Sequence, residues 1–530
     1  TGYTLVKLNA AYGNVQSAVA TLSAAPDVLA VQPNFIYHEL ATPNDTNYGQ
    51  QWGLSNSGQT VTNGDYATNN PGTSGDDIDA TQAWDHITDC SSVTVAVVDT
   101  GVNYTQQDLA ANMWNGGTSY PNHGYDFVDG DNDPMPVGGA EQHGTHVAGI
   151  IGAIGNNSNG VTGVCQKASI MSVRVLGPDG SGTTANVVSG VNFAVANGAK
   201  VINMSLGGTS YDAAFSSAIT NAQSHGVVVV VAAGNDNQNN DSTPHYPCNY
   251  SQSNLVCVAA LDQSFSRASF SDYGASSVDV GAPGTNVLST WGGPIITSDF
   301  SGWSLSGGWT RDATTYTVPV LYDPADYPSS SSAGYANNAN DIAWQTFDLS
   351  STALPSVTAV ALNYYVSVQT ELNHDYFNLA FDSTGVDPFA GTGTQLEHDS
   401  GTVSRPEAIY DLSACRTATC AIGFQLTSDA TTNGPGVLAA YFQIETLQTG
   451  ANVYHAIDGT SMATPFVSGI AAMLFAYNPN DDYHDVVNAI LHGGTTVSAL
   501  SGITTTGKAV NAMGSLAYIS PPTGVTATVQ

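Results

Sequence analysis

Near-continuous apolar runs alternate with helix-period segments from about residue 90 onward. The apolar runs are residues 93–98, 168–176, 201–204 and 227–232, and the helix-period segments are residues 184–197 and 213–225. Strands that are buried on both faces have this composition, so the alternation predicts a parallel sheet covered by helices, an α/β fold. Ligands of such sheets bind beyond the carboxyl ends of the strands, where Asp99 and Asn235 lie.

A different pattern occupies residues 293–452, which are rich in Ser, Thr, Asn, Tyr and Trp. Short alternating segments such as 357–368 and 437–444 predict an antiparallel β-domain, either a sandwich or a jelly roll. The α/β pattern resumes at Gly459, so we interpret the β-domain as an insertion. The interrupted α/β domain then comprises residues 42–292 and 453–515.

Both ends of the chain lie outside this pattern. Residues 1–41 predict a small α+β unit, with strand-like alternation at 3–8 and 28–37 around one helix face. That face comprises Val15, Ala18, Val19 and Leu22. A polar stretch continues to about residue 76, consistent with loops and a linker. At the other end, the proline-containing segment 516–530 predicts a linker into a further domain.

The net charge of −34 arises from 43 acidic residues against only nine lysines and arginines. Such a surface repels phosphate groups, so we expect neither nucleic acid nor an anionic membrane as a partner. Two interpretations stay open: solubility in an external medium, or a scarcity of cleavage sites for trypsin-like enzymes. No apolar run reaches the roughly 18 residues that span a membrane. Because the sequence begins at Thr1, we expect that any export signal has already been removed.

The six cysteines are even in number and lack the spacing of a zinc site. Two pairs are close in sequence, Cys248 with Cys257 and Cys415 with Cys420, and disulfides are the natural interpretation for an exported protein. Cys90 and Cys165 each precede an apolar run, and neighbouring parallel strands could bring them together.

Two candidate functional residues lie at a strand end and at a helix start. Asp99 ends the run 93–98, a position equally typical of an aspartate that only caps a turn. His143 begins an apolar segment, His-Gly-Thr-His-Val-Ala-Gly, whose small glycines allow neighbouring backbone to approach closely. His143 and His146 also suggest a metal pair, but two histidines without an acidic partner are a weak ligand set.

The motif Gly-Thr-Ser-Met-Ala-Thr-Pro at residues 459–465 places Ser461 at the start of an apolar helix. The positive end of the helix dipole would stabilise an anion forming at Ser461. A serine at this position also commonly serves only as the N-cap. Asn235 carries a side-chain amide at a second strand end.

In their order along the chain, aspartate, histidine, asparagine and serine, these motifs closely resemble the subtilisin family, over residues 42–292 and 453–515. Chymotrypsin and the α/β-hydrolases have other orders. The resemblance implies a serine endopeptidase in which His143 is the general base, Asp99 orients it and Ser461 is the nucleophile. Asn235 and the backbone N–H of Ser461 would stabilise the oxyanion.

One position departs from the family pattern, because Gln142 stands where the family usually has glycine before the histidine. The resemblance also implies two segments that pair with an extended peptide. They are Ser205, Leu206, Gly207 and Gly208 on one side, and Ala232, Ala233 and Gly234 on the other. Main-chain pairing ignores side chains, which predicts broad specificity. His245 directly precedes Tyr246, and this place makes it a candidate for the floor of the primary substrate pocket. An equal alternative is that His245 is a loop residue with no role in the pocket.

Calcium is the cofactor that the resemblance implies. Four aspartates within eight residues, Asp126, Asp129, Asp131 and Asp133, would repel one another unless a hard cation bridges them. They resemble a second calcium site of thermitase-like subtilases, and a solvated acidic loop is the alternative. A first site would use the side chains of Asp45, Asp108 and Asn157 with the carbonyls of Ile154, Asn159 and Val161.

Residues 1–41 resemble the second half of a subtilase propeptide, which assists folding and blocks the cleft until it is removed. The expected protein is therefore a secreted zymogen, monomeric, with protein or peptide substrates and its own propeptide as partners. A non-catalytic binding protein on the same scaffold would have no reason to keep all the catalytic residues. A serine esterase predicts a Gly-x-Ser-x-Gly elbow, which Ala463 breaks.

The insertion returns to the chain just before the segment that carries Ser461. We therefore expect it to narrow or extend the side of the cleft that holds the leaving half of a substrate. Its aromatic residues are candidates for binding a polymer, although most aromatics of a β-domain are core. The candidates are Trp303, Trp309, Tyr364 and Tyr365.

Overall fold

The structure, a computed structural model, describes residues 42–519 except 63, 65, 138–141, 317, 324–333 and 433, together with five positions between 21 and 28. The chain divides into two compact units, residues 1–42 and residues 43–530. In the first unit residues 21–23 are helical. The strands at 3–8 and 28–37 and most of the helix face predicted for this unit lie outside the described residues.

The second unit begins with the elements of the α/β domain. Its strands here are β1 (Asp89–Asp99), β2 (Gly124–Asp126), β3 (Lys167–Arg174), β4 (Val201–Met204), β5 (Val228–Ala232), β6 (Leu255–Leu261), β7 (Val280–Pro283) and β8 (Val287–Trp291). Its helices here are α1 (Ala80–Trp84), α2 (His143–Gly152), α3 (Thr184–Ala196) and α4 (Ala213–Ser224), with short 3₁₀ helices at Tyr48–Gln50 and Ala110–Asn112.

The insertion contains eleven strands and one 3₁₀ helix among its described residues. The strands are β9 (Ile295–Thr297), β10 (Ser304–Leu305), β11 (Thr310–Asp312), β12 (Val320–Asp323), β13 (Asn340–Phe347), β14 (Val357–Gln369), β15 (Tyr376–Asp382), β16 (Thr394–Asp399), β17 (Thr402–Asp411), β18 (Cys420–Thr427) and β19 (Gly436–Gln448). The 3₁₀ helix is Ser413–Cys415.

The α/β domain then resumes. Its remaining strands are β20 (Val453–Ile457), β21 (Thr495–Thr496) and β22 (Lys508–Ala509). Its remaining helices are α5 (Thr460–Tyr477), α6 (Tyr483–Gly493) and α7 (Ala512–Tyr518), with a 3₁₀ helix at Ser498–Leu500.

The main sheet has nine strands in the order β2-β3-β1-β4-β5-β6-β7-β22-β21, parallel except for the last pair. Alternate residues of β1 enter different cores: Val95 and Val97 face α2, α5, α6 and α7, whereas Ala96 and Val98 face α3 and α4. Burial of both faces explains the continuous apolar run of this strand. The predicted α/β fold is confirmed, and Asp99 ends a central strand.

Helix α5 is the most apolar helix of the domain. It is long and apolar enough to cross a membrane, yet 83% of it is buried inside the fold. It packs against β1, β4, β5, β6 and β7, with Ile470 and Leu474 in the core. Its composition is therefore that of a core helix, and its N-terminus brings Ser461 to the carboxyl edge of the sheet.

The insertion forms two antiparallel sheets, one of five strands (β10-β13-β18-β15-β16) and one of six (β11-β12-β19-β14-β17, with β9 paired to β19). One core joins them, with Leu362 from one sheet and Phe424 from the other. The predicted antiparallel β-domain is confirmed as a sandwich. The chain enters and leaves the sandwich through a separate two-stranded ribbon of β8 and β20, in which Trp291 pairs with Val453.

Three of the four aromatic candidates for polymer binding are core residues, which corrects that expectation. Trp303 is 7% exposed, Trp309 4% and Tyr364 1%. Tyr365 is half-buried and packs against a small apolar cluster around Val320. The aromatics of this domain therefore stabilise the sandwich, as aromatic side chains in a β-core commonly do.

Two predicted linkers are packed segments of the fold. In the polar stretch after residue 42, Trp52 is 1% exposed and its indole N–H donates to the carbonyl of Thr285 at 2.8 Å. At the other end, α7 continues through residues predicted to be linker, and Leu516 and Ile519 are buried. Residues 520–530 lie outside the described residues.

All six cysteines form disulfides, and the pairs are those that the sequence suggests. Cys90 lies in β1 and Cys165 just before β3, two neighbouring parallel strands, so their Cα atoms come within 5.8 Å. The other pairs are Cys248 with Cys257 and Cys415 with Cys420.

Candidate active site

Asp99 and His143 form a hydrogen-bonded pair at the carboxyl edge of the main sheet. The imidazole Nδ1 lies 2.7 Å from Asp99 Oδ1, which also accepts from the backbone N–H of Thr100 at 2.7 Å. The Asp99 carboxylate is fully buried, whereas His143 is 32% exposed. A buried carboxylate at Nδ1 leaves Nε2 as the nitrogen that can accept a proton from a substrate-side group.

A glycine allows helix α2 to begin so close to the end of β1. A Cβ on Gly144 would lie 2.2 Å from the carbonyl oxygen of Gly101, so only glycine permits this approach. The backbone N–H of Gly144 donates to Thr100 Oγ1 at 3.1 Å. Together these contacts set His143 against Asp99. The turn-capping alternative for Asp99 accounts for one bond to Thr100 but not for the bond to the imidazole.

Ser461 is the second residue of helix α5, not its N-cap. The cap is Gly459, whose φ of 150° favours glycine, and it makes no side-chain capping bond. The Ser461 hydroxyl donates to the carbonyl of Ser205 at 3.3 Å. This position excludes the N-cap alternative and leaves the hydroxyl at the positive end of an 18-residue helix.

Pro465 explains how the start of α5 is tied to strand β4. Proline has no N–H, so the carbonyl of Ser461 loses its usual helical donor four residues on. The hydroxyl of Ser205 donates to that carbonyl instead, at 2.8 Å. Ser205 Oγ accepts from Asn203 Nδ2 at 3.0 Å, and Asn203 Oδ1 accepts from Ser468 Oγ at 2.8 Å. Asn203 and Ser468 are positioning residues that sequence reasoning missed, because a buried polar network leaves no local pattern.

Asn235 is held at the same edge by Thr460, the residue before Ser461. Its Oδ1 accepts from the backbone N–H of Thr460 at 3.0 Å and from the Thr460 hydroxyl at 2.9 Å. Because Oδ1 is used in this way, the amide is oriented with Nδ2 toward Gly459, 3.7 Å from an ideal Cβ there. Asn235 is exposed, so its N–H donor is accessible at the start of α5.

The two predicted peptide-pairing segments both lie close to His245. Gly207 and Gly208 are exposed, Leu206 is half-buried and Ser205 is buried, while Ala232, Ala233 and Gly234 are buried. An ideal Cβ on Gly207 would lie 2.2 Å from His245 Cε1, and one on Gly234 would lie 3.4 Å from the same atom. Burial lowers the pKa of His245. A role for His245 in the pocket stays a prediction, supported by this position.

Sequence reasoning missed Asp272, which lies near His245. An ideal Cβ on Gly234 would lie 2.2 Å from Asp272 Oδ2, and Asp272 Oδ1 accepts from the backbone N–H groups of Asp236 and Gln238. Burial raises the pKa of Asp272, while those two bonds lower it. No sequence motif distinguishes this aspartate from the many others of the chain.

His146 is not part of a metal pair with His143. It is fully buried, and its Nε2 lies 2.9 Å from the carbonyl of Val287 and 3.1 Å from that of His455. Val287 and His455 belong to the two strands of the ribbon below the insertion. Burial lowers the pKa of His146 to about 3. The second histidine of the motif therefore joins helix α2 to the ribbon.

The residues predicted for the first calcium site come together around Asp108. Asp45 and Asp108 are both buried, and Asp108 accepts from Asn157 Nδ2 at 2.5 Å and from the N–H of Val161 at 2.9 Å. The N–H of Ile154 donates to the Asp108 carbonyl at 2.8 Å. Asn159 lies in the same loop. Burial raises the pKa of Asp108 to about 6, and the nearby Asp45 adds to this. Two buried carboxylates beside an oxygen-rich loop suit a hard cation.

The second predicted calcium cluster already contains a cation of the protein. Arg174 is 1% exposed, and its Nη1 lies 2.5 Å from Asp126 Oδ2 and 2.7 Å from Asp129 Oδ2. Asp131 and Asp133 are exposed, and Asp133 accepts from the hydroxyl of Tyr104. Arg174 therefore supplies part of the counter-charge for Asp126 and Asp129, and a calcium role for the four aspartates stays a prediction. Sequence reasoning missed Arg174, because it lies 41 positions beyond Asp133 at the end of the neighbouring strand β3.

Comparison with known proteins agrees with this geometry. The Subtilase family matches residues 91–361 and 319–505. Thermitase of Thermoactinomyces vulgaris is 44% identical over 46% of this chain and 78% of its own length. A thermophilic serine proteinase of Bacillus sp. (strain AK1) is 39% identical over 52% of this chain and 60% of its own length. The halolysin-like extracellular serine protease Nep of Natrialba magadii is 34% identical over 64% of this chain and 55% of its own length.

Proposed function

The chain belongs to the subtilase family, and we propose on this basis that it is a secreted serine endopeptidase with Asp99, His143 and Ser461 as its catalytic triad. The observation that carries the proposal is the bond between buried Asp99 and half-exposed His143, at the edge where α5 presents Ser461. Its relatives are named as serine proteinases and proteases, which supports the same reaction.

The proposed reaction is acyl transfer to Ser461. His143 takes the proton of the Ser461 hydroxyl as that oxygen attacks the peptide carbonyl, and later gives it to the leaving amine. Asp99 holds the imidazole in the required tautomer and stabilises the imidazolium. The developing oxyanion is stabilised by Asn235 Nδ2 and by the backbone N–H of Ser461. Water then hydrolyses the acyl-enzyme by the same steps.

Substrate binding in this proposal relies on main-chain pairing. Segments 205–208 and 232–234 flank an extended peptide, which favours broad specificity. His245 would contact the side chain between them. The protein's own propeptide, residues 1–41, is the second proposed partner, and the monomer is the proposed state.

Calcium and secretion are further parts of the proposal. Asp45, Asp108 and Asn157, with the carbonyls of Ile154, Asn159 and Val161, would hold one calcium ion that stabilises the fold. Three disulfides fit an oxidising, extracellular location, and the extracellular relative supports it. At the second predicted calcium cluster, Arg174 pairs with Asp126 and Asp129. Asp131 and Asp133 are the two carboxylates of that cluster for which no such pair is seen among the described residues.

Replacement of the nucleophile tests the proposal. Ser461→Ala should abolish proteolysis of casein and leave the fold intact, because the hydroxyl is the attacking group. In subtilisin such losses reach about 10⁶-fold in kcat. Ser217→Ala, which changes an exposed serine of helix α4, is the matched control and should retain turnover. Casein hydrolysis by Ser461→Ala at the parent rate, in protein free of parent enzyme, would overturn the mechanism.

A further inference from the structure

Two aspartates from different sheets meet inside the inserted sandwich. Asp323 ends β12 of the six-stranded sheet, and Asp341 is the second residue of β13 in the five-stranded sheet. Asp323 is fully buried, and neither of its carboxylate oxygens has a hydrogen-bond partner within the described part of the chain. A buried carboxylate without a donor is costly, so this arrangement indicates a missing partner.

A pair of glycines lets the backbone approach both carboxylates closely. An ideal Cβ on Gly308 would lie 2.2 Å from Asp323 Oδ1, and one on Gly307 would lie 1.8 Å from Asp341 Oδ1. The backbone N–H of Gly308 donates to Asp341 Oδ2 at 2.8 Å, and the indole N–H of Trp309 donates to the Asp341 carbonyl at 3.0 Å. The loop therefore supplies one donor to Asp341 and none to Asp323.

No basic residue of the insertion balances these two charges. Residues 293–452 contain three arginines and no lysine. Arg311 pairs with Asp299, Arg405 with Glu397 and Asp399, and Arg416 bonds to the carbonyls of residues 349, 354 and 357. Two carboxylates at this place therefore need either a shared proton or a cation that the basic residues of the insertion do not supply.

We propose that Asp323 and Asp341 form a cation site of the calcium type that links the two sheets of the inserted sandwich. Oxygen-only ligands select hard cations, and calcium tolerates the irregular geometry that two carboxylates, carbonyls and water provide. This site is separate from the calcium site around Asp108, and it does not depend on the proposed peptidase activity. Its role is to join β12 to β13 at a place where no side chain of the described residues supplies the counter-charge.

Counting bound calcium tests the proposal directly. All proteins carry Ser461→Ala to prevent self-cleavage, and calcium is measured by equilibrium dialysis and elemental analysis. Asp323→Asn and Asp341→Asn should each bind one calcium ion fewer per chain than the parent. Asp348→Asn, which changes an exposed carboxylate of the same domain, is the matched control and should bind as many as the parent. Circular dichroism verifies the fold of each variant.

Terbium luminescence locates the site independently. Trp309 contacts Asp341 through its indole N–H, so a terbium ion bound there should be sensitised by excitation of this tryptophan. Trp309→Phe should reduce the sensitised emission without changing the calcium count, and Asp323→Asn should reduce both. Unchanged stoichiometry and emission in both aspartate variants would overturn the site and indicate a carboxyl pair that shares a proton. If Asp323→Asn does not fold, the calcium count of Asp341→Asn decides whether the site exists, because Asp341 is only half-buried.

Discussion

The residue before His143 shows how the insertion contacts the proposed catalytic residues. Gln142 is fully buried, and its Nε2 donates to the carbonyl of Thr446 in β19 at 3.4 Å. Asn103, shortly after Asp99 in sequence, donates through Nδ2 to the carbonyls of Gly292 and Gln448 at 3.1 and 2.9 Å. A glycine at position 142 would lack the first contact. The departure from the family pattern is therefore explained by the presence of the insertion.

Removal of the Asn235 amide should slow the chemical step. We expect Asn235→Ala to lower kcat by about 10²–10³-fold with little change in KM, because the donor acts on a charge that develops only in the transition state. Steady-state kinetics on a peptide substrate measure this. Asn237→Ala, two residues on and exposed, is the matched control. A rise in KM at constant kcat would instead assign Asn235 to substrate binding.

His146 should make the protein sensitive to acid. Its pKa falls from 6.5 to about 3 on folding, through burial first and the charges of His455 and His143. A group with a depressed pKa stabilises the fold fully above its unfolded value, and that stability is lost as pH falls. We therefore expect the unfolding free energy to decrease by up to about 4 kcal/mol from about pH 6.5 toward pH 3. The melting temperature should decrease over the same pH range.

A glutamine in place of His146 keeps a hydrogen-bond donor but does not titrate in this pH range. His146→Gln keeps an N–H near the carbonyls of Val287 and His455, so its melting temperature should vary less with pH than that of the parent. His225→Gln changes an exposed histidine and should leave the parent profile unchanged. Identical pH profiles for the parent and His146→Gln would assign the acid sensitivity to other groups.

At the scale of elements, the central strands were predictable because burial on both faces leaves a continuous apolar run. The prediction for residues 201–204 agrees with β4, whereas β1 begins four residues before the predicted start at residue 93. The short strands β2, β21 and β22 were missed, because two or three residues carry no periodicity. Arg174 was missed as a partner of Asp126 for a related reason, since strand pairing joins residues with no local signal.

The loop that follows α2 should bind calcium and stabilise the fold. We expect EDTA to lower the melting temperature, because an ion that binds only the folded state at about 100 times its Kd adds roughly 2.7 kcal/mol. Calorimetry with and without calcium measures this. Asp108→Asn should lose most of the calcium-dependent shift, whereas Asp85→Asn, at an exposed position, should retain it. An equal calcium shift in parent and Asp108→Asn would contradict this site.

The whole molecule combines an α/β domain with a sandwich that attaches at several points. Besides the ribbon, the backbone N–H of Gln107 donates to the carbonyl of Ala451 at 2.8 Å, and Thr105 Oγ1 accepts from the N–H of Gly450 at 2.9 Å. The segment after Asp99 and the residue before His143 therefore both contact the insertion. The sequence predicts where the insertion begins and ends, but these contacts join residues more than 300 positions apart, which sequence patterns do not reveal.

These contacts lead to a prediction about substrate selection. Residues 293–451 are replaced by a short turn between Gly292 and Asn452, which retains the ribbon in which Trp291 pairs with Val453. Because the insertion adjoins the rim beside His143, we expect the deletion to change the ratio of kcat/KM for a folded protein to that for a small peptide. A tenfold change corresponds to about 1.4 kcal/mol of transition-state binding.

The deletion requires a control that keeps the sandwich. Gln107→Ala removes only one exposed contact to the carbonyl of Gly450 and should keep the parent ratio. Circular dichroism and thermal melting establish that the deletion variant is folded before its kinetics are compared. Small-peptide hydrolysis should persist in that variant, since Asp99, His143 and Ser461 all lie outside the deleted segment. If the folded deletion variant cleaves proteins and peptides in the parent ratio, the insertion has no part in substrate selection.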